Sequence, residues 1–291
     1  MNVLSLFDGM SCGQIALSKL GVKYDNYFAS EIDKYAIQIT QKNFPYTQQL
    51  GCVTTINTKE LPPINLLMGG SPCQDLSRAK SDGEGLKGNR SGLFWEYVRV
   101  LNETQPDYFL LENVVMNKED ERLITKELGV NPIEINSNLV SAQNRRRLYW
   151  TNIPNVNQPK DKGILIKDIL LSEPFQLFQD QRIEDTKVLT KNYIKWDISQ
   201  KGYYSQQDRA YFKDGKMCCV PKSQVKSKVN VVESEGVYRR LSPIEVERLQ
   251  TVPDNYTEGV SDTQRYNMIG NGWTVDVIAY IFKNLKEQWK Y

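Results

Sequence analysis

Cys73, Glu112, Arg145 and Arg147 are the residues of this 291-residue chain whose types and settings could carry chemistry. Cys73 stands in Gly70-Ser71-Pro72-Cys73-Gln74, a turn just past the apolar run at residues 64–68. Such a run reads as a buried strand, and open α/β sheets take their ligands beyond the carboxyl ends of their strands. A cysteine in a turn there is accessible and can attack as thiolate, given a guanidinium, a helix N-terminus or proton transfer to the substrate. Its bland alternative is a small apolar residue in a turn. Glu112 ends the next apolar run, residues 108–111, so it falls on the same edge. A carboxyl group there could hydrogen-bond a substrate ring nitrogen, or it could be a helix cap or a surface acid. In Gln143-Asn144-Arg145-Arg146-Arg147, period two places Gln143, Arg145 and Arg147 on one strand face. Guanidiniums so aligned would bind phosphate or a carbonyl oxygen; a solvated charge run is the alternative.

The chain contains no His. That excludes Ser-His-Asp and Cys-His nucleophile pairs, zinc sites built on His, and any imidazole base. Five cysteines (Cys12, Cys52, Cys73, Cys218 and Cys219) with no CxxC spacing make neither a disulfide framework nor a zinc cage. No metal site is expected, and a reducing cytoplasm suits these thiols. The first residues lack a basic, signal-like stretch, and no apolar run approaches the ~20 residues that span a bilayer. A soluble cytoplasmic protein is expected.

Two further features point to nucleotide chemistry. Phe7-Asp8-Gly9-Met10-Ser11-Cys12-Gly13 follows the first apolar run and opens a helical pattern, so backbone amides there can approach a ligand. Glu31 ends the second strand-like run, where an acid commonly accepts hydrogen bonds from a ribose diol. Net charge is only +2, but residues 187–228 carry ten basic and three acidic side chains, a local +7 that leaves −5 elsewhere. Tyr193, Trp196, Tyr203, Tyr204, Tyr211 and Phe212 are interleaved with those charges. A polyanion partner with exposed bases suits this block, as does a lysine-rich surface over half-buried strands. Residues 78–92 hold four glycines and four basic residues, among them Arg78 and Arg90. A glycine-rich basic loop directly after a candidate nucleophile reads as a lid over an anionic substrate.

The elements that must position these residues alternate strand and helix through the first half, which predicts a mostly parallel sheet with helices on both faces. From about residue 155 the rhythm gives way to short β-like pieces. Helical patterning returns at Ser242-Pro243-Ile244-Glu245, a capping box with Pro at the first helical position. A last helix is expected over about 275–289. The expected layout is an α/β catalytic domain made of residues 1–154 and 239–291, with a β-rich insert at 155–238.

In order and spacing the motifs resemble the DNA (cytosine-5)-methyltransferases, and the likeness covers nearly the whole chain outside the basic insert. Phe7-Asp8-Gly9 is similar to the first cofactor motif, Pro72-Cys73-Gln74 to the nucleophile motif and Glu112-Asn113-Val114 to the cytosine-clamping motif. Gln143-Asn144-Arg145-Arg146-Arg147 resembles the Gln-x-Arg-x-Arg motif. Arg239-Arg240-Leu241-Ser242-Pro243 through Pro253 resembles the ninth motif, and Gly270-Asn271-Gly272-Trp273-Thr274-Val275 the tenth. Residues 4–9 and 69–73 look nearest to the de novo enzymes of vertebrates and their phage and bacterial relatives.

The resemblance implies a Rossmann-like methyltransferase fold with a target-recognition insert, S-adenosyl-L-methionine as methyl donor, S-adenosyl-L-homocysteine as product, and double-stranded DNA as partner. A cognate restriction endonuclease in the same system is an open partner. Cys73 would attack carbon 6 of a flipped-out cytosine, Glu112 would meet ring nitrogen 3, and Arg145, with Arg147, would lie near the ring carbonyl. Cofactor contacts are implied for Phe7, Asp8, Gly9, Met10, Ser11, Glu31, Ile32, Cys52, Val53, Pro72, Leu93, Asn271, Gly272 and Trp273. DNA contacts are implied for Gln74, Ser77, Arg78, Arg90, Lys191, Lys201 and Arg209, with Tyr203, Gln206 and Gln207 as base readers. Two departures stand out: Gly51-Cys52-Val53 replaces the usual Gly-Asp-Val, and Gly272-Trp273 the usual Ser-Val. The rivals are an RNA methyltransferase of the tRNA-modifying branch, whose Cys-Phe-Thr signature is absent, and an idle relative that only binds DNA or a partner.

Overall fold

The structure is a computed structural model describing residues 1–72, 93–179, 187–196, 209–220 and 229–285, with backbone alone at 187–189, 195, 196 and 229. The chain divides into two compact units. The first takes residues from 1–136, 146–158 and 275 onward, the second 137–145 and 159–274.

The first unit is built on a seven-stranded sheet. Its strands are β1 (Asn2–Leu6), β2 (Asn26–Ser30), β3 (Gln48–Gln49), β4 (Leu66–Gly69), β5 (Tyr108–Val114), β6 (Ile133–Asn136) and, further on, β8 (Arg146–Thr151). They lie in the order β3-β2-β1-β4-β5-β8-β6. Pairing is parallel from β3 through β5, and β8 runs antiparallel to both β5 and β6. β4 throughout, and β1 apart from Asn2 and Ser5, are apolar, as strands buried on both faces require. Connections turn one way from β1 to β3 and the other way at β4, which makes the carboxyl edge beside β1 and β4 a topological switch point.

Helices α1 (Cys12–Lys19), α2 (Lys34–Asn43), α3 (Leu93–Thr104) and α4 (Lys118–Leu128) cover the sheet. Leu4, Leu6, Phe28, Leu67, Phe94, Tyr97, Leu111 and Trp150 form the center of its core. A Cβ on Gly13 of α1 would come within 2.5 Å of Met68 Sδ on β4, so glycine here leaves room for the end of that side chain. The last helix of this unit, Val275–Phe282, packs on α1, with Lys19 paired to Asp276. It is shorter than the 275–289 expected.

The second unit carries a six-stranded sheet of β9 (Gln176–Phe178), β10 (Lys187–Leu189), β11 (Tyr193–Trp196), β12 (Arg209–Tyr211), β14 (Val229–Ser234) and β15 (Val237–Arg240). The order is β10-β11-β12-β14-β15-β9, with only β12 and β14 parallel. A two-stranded pair joins β7 (Gln143–Asn144) to β13 (Met217–Cys218). Helices α5 (Pro243–Leu249) and α6 (Asp262–Asn271) also belong here; the remaining helix, Val275–Phe282, is α7. The capping box of α5 forms as expected between Ser242 and Glu245. The unit boundaries differ from the expected division, because residues 239–274 pack with the second unit. Buried Glu245 is held by Arg239 and by the Leu171 amide at 2.9 Å, and buried Glu247 by Arg265 at 3.1 Å and the Thr257 amide at 2.9 Å. Such ion pairs fix a segment where every partner lies within one unit.

Candidate active site

At the carboxyl edge of the first sheet, the turn after β1 is tightly wound. Phe7, Gly9 and Ser11 all adopt left-handed backbone, with φ of 57°, 58° and 64°. This brings the Gly9 amide to Glu31 Oε2 at 2.8 Å, while Glu31 Oε1 accepts from the amides of Ile32 and Asp33 at 2.7 and 2.8 Å. Asp33 caps α2. Glu31 thus locks the turn after β1 to the turn after β2. The Ser30 hydroxyl adds the third loop by donating to Gly51 O at 2.8 Å. Cys52 follows, partly exposed, and its Sγ lies 3.1 Å from Thr54 Oγ1; hydrogen bonds from Thr54 hold the thiol below its ordinary pKa. Val53 is buried and accepts from Arg99 at 3.0 Å. Ile32 is 75% exposed, an apolar side chain left open beside Glu31.

Asp8 lies beneath this turn. Its Oδ1 accepts from the Tyr27 hydroxyl at 2.8 Å, and its Oδ2 is buried with no hydrogen-bond partner among the described residues. Burial pushes the carboxyl up to about 6 against the lowering effect of the Ser5, Tyr27 and Ser11 hydroxyls, and the nearby Glu31 charge adds to the rise. Met10 and Ser11 are wholly buried, so their part in the turn is to anchor it.

The second half of the edge lies at β4 and β5. Asn113 Nδ2 donates to Ser71 Oγ at 3.0 Å, with both residues buried, which ties the Ser71-Pro72 end of β4 to the end of β5. Glu112 sits two residues before the end of β5 and opposite Tyr149, with Val114 opposite Arg147. That antiparallel register makes Glu112 and Arg147 diagonal neighbors on one sheet face, within reach of a long side chain. Arg147 Nε lies 2.9 Å from Glu112 Oε1 in a pair whose side chains are only 15% and 11% exposed.

Arg145 is part of neither β7 nor β8, so Gln143, Arg145 and Arg147 do not lie along one strand as expected. The strand breaks at Arg145: β7 pairs with β13 in the second unit, and β8 with β5 and β6 in the first. Arg145 is 4% exposed, and its guanidinium donates to Cys219 Sγ, Val220 O, Gly270 O and Gly272 O at 3.0–3.4 Å. Gln143 is fully buried and donates to Leu249 O and Gln250 Oε1. In the second unit Asn271 is exposed and Gly272 and Trp273 are partly so. Lys191 is exposed, and the Arg209 guanidinium lies 4.6 Å from the Tyr193 ring centroid. Leu93 opens α3, partly buried. Cys73, Gln74, Ser77, Arg78, Arg90, Lys201, Tyr203, Gln206 and Gln207 lie outside the described residues.

The family model of C-5 cytosine-specific DNA methylases matches residues 1–287. The chain belongs to that family. This methylase therefore transfers methyl groups to carbon 5 of cytosine in DNA. It is 28% identical over 98% of its length to the Type II methyltransferase M1.ScrFI of Lactococcus lactis subsp. cremoris, covering 78% of that protein. It is 27% identical, again over 98%, to the Type II methyltransferase M.HhaI of Haemophilus parahaemolyticus, covering 94% of it. Among solved structures, the Entamoeba histolytica methyltransferase EhMeth shares its fold with a TM-score of 0.73 at 20% identity, covering 99% of both chains. The S. pombe Dnmt2 methyltransferase does so at 0.67 and 19% identity, covering 98% of this chain and 99% of its own.

Family and fold imply S-adenosyl-methionine as methyl source, and the methylase's own residues fit it. A buried carboxyl oxygen without a partner beneath the first turn suits a ligand that brings positive charge, as the sulfonium and ammonium of this cofactor do. Among the described residues no cluster of three metal-binding side chains occurs, and no helix is long and apolar enough to cross a membrane. Sequence reasoning missed Ser30, Ser71 and Tyr27, whose side chains join the loops to one another and to Asp8. Each falls at or near a strand end beside a motif, and that placement is the only signal the sequence carries for them.

Proposed function

We propose that the chain methylates a cytosine flipped out of duplex DNA, with Cys73 as nucleophile and Glu112 and Arg147 holding the ring. The observation that carries this reading is the Glu112–Arg147 pair at the carboxyl edge, one strand from the Ser71-Pro72 end that leads directly into Cys73. A base inside the duplex shields both faces of its ring, so the target must leave the stack. The Cys73 thiolate then adds to ring carbon 6. Glu112 gives a proton to ring nitrogen 3 as the addition proceeds, and Arg147 keeps that carboxyl group in place while its own guanidinium meets the carbonyl at carbon 2, where negative charge develops. Electron density reaching carbon 5 takes up the methyl group. Water takes the carbon 5 proton, the electron pair left behind expels Cys73 from carbon 6 as thiolate, and the proton on nitrogen 3 returns to Glu112, which restores the aromatic ring. S-adenosyl-methionine, when bound, would supply an electrophilic methyl group on its sulfonium, with S-adenosyl-homocysteine as the product.

The cofactor would be held by the three joined loops: backbone from Phe7 to Ser11, Glu31 toward the ribose, Ile32, Cys52 and Val53 around the adenine, with Pro72, Leu93, Asn271, Gly272 and Trp273 completing the contacts. Asp8 would face the cationic end. Gln74, Ser77, Arg78, Arg90 and the basic block at 187–228 would bind DNA. The Type II names of two relatives support a restriction endonuclease as genetic partner, and the orphan methyltransferase M.SPRI of Bacillus phage SPR supports the alternative without one, in either case in a bacterial or phage-infected cytoplasm.

Bisulfite sequencing of a plasmid from cells expressing the chain tests this. Protected cytosines at one sequence context, absent with Cys73→Ser, are expected, together with a covalent adduct on duplex DNA bearing 5-fluorocytosine, whose fluorine cannot be eliminated. Methylation surviving in Cys73→Ser overturns the nucleophile assignment, and methyl transfer to tRNA but not DNA overturns the substrate.

A further inference from the structure

We propose that Arg145 is a positioning residue for the turn at 271–273, acting with Gln250 on the backbone carbonyls that end α6. The inference rests on reading Asn271, Gly272 and Trp273 as cofactor contacts.

The last carbonyls of a helix have no partner within it and collect its negative dipole end, so a buried guanidinium is a strong cap for them. One amino nitrogen of Arg145 reaches Gly270 O at 3.2 Å and Gly272 O at 2.9 Å, and the other reaches Cys219 Sγ at 3.0 Å and Val220 O at 3.4 Å. The fork therefore ties the end of α6 to the chain just after β13. Gln250 takes the same turn from its other side. Its Nε2 donates to Ile269 O at 2.9 Å and Gly272 O at 3.0 Å, and its Oε1 accepts from Thr274 Oγ1 at 2.8 Å and Gln143 Nε2 at 2.9 Å. Thr274 is joined in turn to Ser137 at 2.8 Å.

The backbone is thus pinned at 270, 272 and 274, while the side chains between the pins, Asn271 and Trp273, are the ones with solvent access. That alternation is what a ligand-facing turn requires: a fixed main chain presenting every second side chain. A lysine has the charge but not the planar fork, and it cannot bridge two carbonyls on one side and a thiol and carbonyl on the other.

The test uses the full chain with Arg145→Lys, Gln250→Met and Trp273→Ala, reading steady-state kinetics on duplex DNA beside calorimetric Kd for S-adenosyl-methionine. Arg145→Lys and Gln250→Met are expected to raise both KM and Kd for the cofactor at least about fivefold, with the effect falling on these rather than on kcat at saturating cofactor. A loss confined to kcat, with Kd within twofold of the parent chain while Trp273→Ala weakens binding, overturns the positioning role. Unchanged Kd in Trp273→Ala overturns the cofactor reading of the turn and the inference with it. Where Arg145→Lys fails to fold, Gln250→Met decides by the same criterion.

Discussion

Breaking the Glu112–Arg147 pair should cost both stability and rate, and its size follows from its surroundings. Removing one member of a fully buried ion pair costs about 3–5 kcal/mol, because the other charge is left without its partner. Here the side chains keep 15% and 11% exposure, so water can partly reclaim the stranded group. A charge-assisted hydrogen bond of about 1.5–3 kcal/mol is the better scale, and a coupling of about 2 kcal/mol is expected. The measurement is a double-mutant cycle of Arg147→Met, Glu112→Gln and both together, by urea unfolding of the transition that melts the seven-stranded sheet. At about 2–4 °C per kcal/mol for a unit of this size, either single change should lower Tm by roughly 4–8 °C. If Arg147 also meets the charge developing on the ring, kcat/KM should fall about 10²–10³-fold in Arg147→Met, as for loss of one oxyanion donor. A coupling below about 0.5 kcal/mol would mean that the pair is incidental, and the account of how Glu112 is aimed would fail with it.

Cys52→Asp restores the usual acceptor beside the adenine, and S-adenosyl-methionine should bind about fivefold tighter, equivalent to about 1 kcal/mol; calorimetry showing equal or weaker binding rejects this. Asp8, with its carboxyl raised to about 6 in the folded chain, holds a proton that the unfolded chain has already released above its ordinary value near 3.8. Stability should therefore fall by about 2–3 kcal/mol as pH rises from 4 to 6, and Asp8→Asn should flatten that slope while weakening cofactor binding. A melting profile as steep in the variant as in the parent locates the titration elsewhere. Lys191→Ala should weaken binding to every DNA sequence and lower the salt slope by about one, whereas a changed methylation pattern at unchanged slope would make Lys191 a base reader.

The parallel sheet was legible because its strands are short apolar runs cut off by turn residues, and each motif lands where such a run stops. Glu31 and Glu112 could be placed for that reason. The roles of Arg145 and Arg147 could not be separated, since period two assumes an unbroken strand. The break at Arg145 depends on β7 pairing with Met217 and Cys218, more than 70 residues downstream in the chain, and no local pattern encodes it. The Asp8 environment was hidden for a similar reason: its burial comes from Tyr27 on the neighboring strand. Ser242 and Glu245 show the opposite case, a cap decided within four residues and therefore readable.

The packing of α7 on α1 has a consequence for synthesis. Residues 137–145 and 159–274 all precede Asp276 in the chain, so the second unit needs nothing made after Thr274 in order to close. The first unit does, because α1 waits for the last helix to cover it and for Asp276 to meet Lys19. The sheet that carries Glu31 and Glu112 is thus finished last although its strands are made first. A chain cleaved ahead of Val275 should hold a folded second unit and an unfinished first one.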